Sequence, residues 1–100
     1  MIGQVHAIAV SGMTAAQTRL QAAASNVANL PTEGYRRVVA RAEAQPEGGV
    51  RVRSERLPAA GADLPADLVE QRMAATAFAA NLQVFQAADR MAGSLLAARA

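Results

Sequence analysis

The feature that most limits what this chain can fold into is a break about a third of the way along, at Leu30-Pro31 with Gly34 close behind. The residue before a proline is pushed out of the α region, and the proline has no N–H with which to continue a helix. Gly34 takes a positive φ without steric cost, which suits a turn just ahead of Tyr35. Upstream of the break, Ile2, His6, Ala9, Met13, Ala16, Leu20, Ala23, Val27 and Leu30 alternate four and three apart, the a/d seam of a coiled coil with His6 as its one polar member. Gly12 and the β-branched residues weaken its first turns. Downstream, Tyr35-Arg36-Arg37-Val38-Val39 favours β structure. The break therefore predicts a helix over 1–30, a turn over 31–37 and extended chain beyond.

The extended stretch, 38–57, has period two. Val38, Ala40, Ala42 and Ala44 alternate with Val39, Arg41 and Glu43. Gln45-Pro-Glu-Gly-Gly49 is a turn signal, and Val50 and Val52 alternate with Arg51 and Arg53. This spacing predicts a short β-hairpin, marginal by itself and leaning on a helix or a neighbour. A linker follows over 58–65, bounded by Pro58 and Pro65. The second helix is expected over 66–97, with Asp67-x-x-Glu70 as its capping arrangement and Asp63 as a further capping carboxylate. One of its stripes runs through Leu68, Ala75, Phe78, Leu82, Phe85, Ala92 and Leu96. A second runs through Val69, Met73, Ala77, Ala80, Val84, Ala88, Met91 and Leu95. One partner helix cannot cover both stripes, which points to burial in an assembly.

Composition bears on that point. The chain has 100 residues, 52 % hydrophobic but only 3 % aromatic, and about a quarter of it is alanine. Alanine favours helix and buries little area, so long helices come more easily than a thick core. Net charge is +2, all basic residues are arginine, and they are dispersed apart from Arg36-Arg37 and Arg51-x-Arg53. Nucleic-acid binding is not indicated. Without cysteine there is no disulfide or thiolate chemistry. No apolar run approaches a membrane span, so stable membrane insertion is not expected. Gln4, His6, Ser11 and Gly12 interrupt the N-terminal segment, which does not read as a cleaved signal peptide. His6 lacks companions for a metal site, Ser11 and Ser25 lack a base, and Gly48-Gly49 is too short for a phosphate cradle. The expectation is no enzyme, no cofactor, and no catalytic or metal site.

The run Ala24-Ser25-Asn26-Val27-Ala28-Asn29, followed by Thr32-x-Gly34-Tyr35-Arg36, resembles the N-terminal signature of bacterial flagellar rod and hook proteins. Here Ser25 stands where that family often has Asn, and Pro31 precedes Thr32 instead of following it. Ala66-Asp-Leu-Val-Glu70, with Phe78, Ala80-Asn81, Leu82, Ala88-Asp89 and Met91, is similar to the family's C-terminal block. Gly48-Gly-Val-Arg-Val52 resembles a segment of the short proximal-rod type. The resemblance implies two long terminal helices packed as an antiparallel coiled coil around a short hairpin-like connector, together one axial core domain. It implies a structural subunit of the basal-body rod, exported without a cleaved signal and placed in the periplasm. Its partners would be other rod subunits, basal-body proteins and the flagellar export apparatus. The signature and assembly residues are then Ser25, Asn26, Ala28, Asn29, Thr32, Gly34, Tyr35, Arg36, Phe78, Asn81, Leu82, Asp89 and Met91. The rival reading is a helical-hairpin adaptor that binds another coiled coil.

Asn26 and Asn29 read either as helix terminators or as buried amides that meet Asn81 and fix the register of the two helices. Asn81 sits in mid-helix with no capping role to explain it.

Overall fold

A computed structural model describes residues 2–99, in the order α1 (Ile2–Ala28), β1 (Val38–Ala44), β2 (Val50–Arg56) and α2 (Leu64–Arg99). The molecule measures 63 × 24 × 14 Å. The two helices lie antiparallel, as successive contacts show. Asn26 of α1 bonds Asp67 of α2, Arg19 bonds Glu70, Gly12 faces Asn81, and His6 stacks near Phe85. The expected mainly helical architecture with a hairpin connector is the one observed.

The helix ends follow from local chemistry. At the end of α1 the ladder tightens and gives way to turns, with Asn29 N–H on Ser25 O, Leu30 N–H on Val27 O and Thr32 N–H on Asn29 O. Pro31 follows at once, and Gly34 has φ 75°. Asp63 is the N-cap of α2, its Oδ1 accepting from Ala66 N at 3.2 Å.

The hairpin is antiparallel and in register from Val38 opposite Arg56 to Ala44 opposite Val50. It folds back along α1 and packs on that helix, with no comparable contact to α2. Its tip rests on Ser11, whose Oγ donates to Ile8 O at 2.7 Å and accepts from Val50 N at 3.1 Å. Gly49 has φ 86°, and a Cβ there would stand 2.7 Å from Ser11 Oγ. Both the turn and the close approach require glycine.

The packing surfaces depart from the expected seams. Among the described residues the buried apolar ones are all alanines: Ala9, Ala15, Ala16, Ala22, Ala23, Ala74 and Ala88. Ala9, Ala16 and Ala23 belong to the predicted α1 seam, but Ala15, Ala22 and Asn26 are equally buried because the hairpin packs over part of this helix. On α2 the line toward α1 runs through Asp67, Ala74, Asn81, Phe85 and Ala88, taking only Phe85 from the first predicted stripe and Ala88 from the second. Small side chains let the helix backbones approach closely, so the alanine face wins the interface. The large aliphatics are left outside. Leu68, Val69, Met73, Val84, Met91, Leu95 and Leu96 are all at least half exposed or nearly so, and Leu96 reaches 70 %.

Candidate functional site

The signature turn divides into an outward cluster and an inward hook. The outward cluster joins Ser25, Asn29, Thr32 and Tyr35. Asn29 Nδ2 donates to Ser25 O at 2.8 Å, a second bond to the carbonyl that already accepts the Asn29 backbone N–H. Thr32 Oγ1 donates to Asn29 Oδ1 at 3.1 Å, and Ser25 Oγ lies 3.0 Å from the Tyr35 hydroxyl. Arg56 reaches over the Tyr35 ring at 5.3 Å and donates to Arg36 O at 2.8 Å. Ser25 and Ser11 thus spend their hydroxyls on the fold, without a nucleophile–base pair between them and a histidine.

The inward hook is Asn26. Its amide bonds both faces of the Val38 peptide, with Val38 N donating to Oδ1 and Nδ2 donating to Val38 O, each at 2.8 Å. Nδ2 also donates to Asp67 Oδ1 at 3.0 Å. Arg37 completes the group: NH2 donates to Asp67 Oδ1 at 2.6 Å and Nε to Oδ2 at 3.2 Å. Asp67 and Asn26 are 2 % and 3 % exposed, the two buried polar residues among those described. One carboxylate therefore ties the end of α1, the first residues after the turn and the start of α2. The Arg37 guanidinium is held above its ordinary pKa, first by its hydrogen bond to Asp67.

Two expectations are corrected here. Asp67 is not a capping carboxylate; Asp63 holds that place and Asp67 turns inward to Arg37 and Asn26. Glu70 likewise turns to Arg19, with which it forms an ion pair. The amide lock between Asn26 or Asn29 and Asn81 does not form. Asn81 lies farther along α2, where Nδ2 donates to Ala77 O at 2.9 Å and the side chain sits over Gly12. A Cβ at Gly12 would come within 2.6 Å of Asn81 Cγ, so the residue that weakens α1 is also the one that makes room for Asn81.

The other sequence-selected residues are scattered along α2 and the turn. Ala28 is the exposed last residue of α1, and Arg36 is exposed, its backbone bridging Gly61. Phe78 is half-buried, Leu82 is 38 % exposed and Met91 60 %. Asp89 Oδ1 stands 2.9 Å from His6 Nε2 without the alignment of a hydrogen bond. Arg37, not the signature residue Arg36, is the arginine that faces inward, in keeping with the alternation of a strand entering at Val38.

A cleft of 150 Å³ beside the turn, lined by Asn26, Asn29, Thr32, Tyr35 and Arg37, is small against the usual range of roughly 300–1,000 Å³ for ligand pockets. Among the described residues no group of three metal-ligating side chains comes together, and no helix is long and apolar enough to cross a membrane.

Residues 7–36 match the family model of the flagella basal body rod protein. The matched stretch contains most of α1, the outward cluster and Asn26, and it ends at Arg36. The match covers 30 of the 100 residues and marks this stretch as similar to that family. No curated protein matches the chain.

Proposed function

We propose that this chain is a non-catalytic structural subunit of the bacterial flagellar basal-body rod, of the short proximal-rod type. The observation that carries the reading is the family match over 7–36, which falls on the helix and turn that organise the fold. The exposed aliphatics of α2 support it further. A helix whose Leu68, Val69, Met73, Val84, Leu95 and Leu96 stand open in the monomer suits burial between subunits. Heterologous, non-closing contacts between such faces generate a helical filament. In this reading other rod subunits and basal-body proteins are the partners, the export apparatus delivers the chain without a cleaved signal, and it acts in the periplasm. Ser25, Asn29, Thr32 and Tyr35 shape the turn, while Asn81, Leu82 and Met91 serve the packing surfaces of α2.

The test is genetic. Deleting the gene should abolish swimming and rod assembly, and the wild-type gene supplied in trans should restore both. Normal swimming in the deletion strain would remove this reading and favour the adaptor.

A further inference from the structure

The charged residues of α2 divide by role. Its three acids are all engaged within the chain: Asp67 holds Arg37 and Asn26, Glu70 pairs with Arg19, and Asp89 stands beside His6. Its arginines are not. Arg99 lies in the last turn, where it complements the helix dipole. Arg72 and Arg90 have no such role. Both are exposed, neither has an acid three or four residues away on the helix, and neither forms an ion pair among the described residues. They are about five turns and 27 Å apart, which puts them on the same side of α2.

Arg72 borders an apolar groove between the two helices. Ala16, Ala74 and Ala75 form its floor and Leu20 and Phe78 its walls, around an open volume of 280 Å³. The surface continues outward over Leu68 and Ala79 to Arg72. No hairpin residue lines either part, so the face is left open by the chain's own fold. An alanine floor between aliphatic and aromatic walls is a recess into which a helix can lay its larger apolar side chains.

We infer that this groove docks an amphipathic helix of a different protein, whose apolar face fills the alanine floor and whose carboxylates meet Arg72 and Arg90. Guanidinium forks take carboxylates bidentately, and here no carboxylate of the chain competes for them. A helix of a second copy lacks the matching chemistry. Its α1 has no acidic residue, the three acids of its α2 are engaged, and Glu33 and Glu47 lie in turns. A bilayer surface fits less well, being flat where the groove is concave. The α1 border also carries Gln17 and Gln21 where a membrane-surface helix sets basic residues. Such a partner is independent of the rod reading and suits an adaptor equally.

The experiment uses the full chain and two fluorescein-labelled helical peptides with the same leucines, spaced three and four apart. One peptide has glutamates bordering the leucines, the other lysines. Fluorescence anisotropy should show saturable binding of the glutamate peptide, at least tenfold tighter than that of the lysine peptide and weakened by salt. Arg72→Gln/Arg90→Gln should weaken it at least tenfold without lowering the melting temperature, and Leu68→Gln should weaken it independently. Arg51→Gln/Arg53→Gln on the hairpin should leave it within twofold. Sedimentation of the Arg72→Gln/Arg90→Gln variant should match that of the wild type; reduced self-association would assign the face to a second copy and overturn the inference. So would absence of saturable binding, equal binding of the lysine peptide, equal loss in the hairpin variant, or equally tight binding to phosphatidylglycerol vesicles.

Discussion

Replacing Asp67 with Ala tests how the two ends of the chain are joined. The substitution removes a carboxylate that accepts from Asn26 and from two nitrogens of Arg37. It leaves the Arg37 guanidinium, whose side chain is 17 % exposed, without its counter-charge. Breaking a buried ion pair from one side costs about 3–5 kcal/mol. Arg37 retains some access to water, which places the expected loss near 3 kcal/mol, the low end. For a domain this size that corresponds to a fall in melting temperature of roughly 12–20 °C. Replacing both charges, as Arg37→Met/Asp67→Leu, removes the unpaired charge and should recover most of the loss, because a buried pair and an apolar pair of similar volume are often near-equal in stability. Urea unfolding followed by circular dichroism measures all three proteins. Amide exchange at Val38, whose N–H is held by Asn26, locates the damage at the root of the hairpin. If Asp67→Ala costs less than about 1 kcal/mol, or the double variant is worse than the single one, the group is not the joint described here.

Three further outcomes are expected. Gly12→Ala should destabilise the wild type, since its Cβ meets Asn81, yet stabilise an Asn81→Ala background by up to about 1 kcal/mol through helix propensity; chemical denaturation of the four proteins checks the reversal of sign. Leu95→Gln/Leu96→Gln should change monomer stability by no more than about 0.5 kcal/mol, as these residues are exposed, but should prevent incorporation into the flagellum, read by swimming and by sedimentation of basal bodies. Glu55 is held below its ordinary value of 4.5, first by the hydrogen bond from Arg41. The Arg41–Glu55 contribution is therefore complete above that value and lost as pH falls through the lowered one, and NMR of the hairpin should show loosening only in that acid range.

The elements were legible because each has a distinct period and a distinct stop. Pro31 and Gly34 end one helix, the alternation from Val38 marks the strands, and the Gly48-Gly49 turn joins them. The packing faces were not legible. In an alanine-rich helix every face looks apolar, and the large aliphatics that define the two stripes, such as Leu68, Met73 and Leu95, in fact remain outside. Ala15, Ala22 and Asn26 are buried because a hairpin folds back over α1, a tertiary event that no seam announces. Asp67 fits a local capping pattern so well that its long-range pairing with Arg37 could not be read from spacing. Gly12 and Asn81 were each visible as anomalies, a helix-weakening residue and an unexplained mid-helix amide. Their contact explains both, and only the antiparallel register brings them together.

The central claim, that this chain is built into the rod, is tested most directly by the composition of basal bodies. Hook–basal bodies are purified from cells that carry an epitope-tagged copy as the sole source of the protein and retain swimming, and the tag is located by immunogold labelling and quantified by mass spectrometry. The account predicts the protein in the rod, at a fixed ratio to the other axial subunits that survives high-salt washing. Its absence from intact basal bodies of swimming cells would contradict the account.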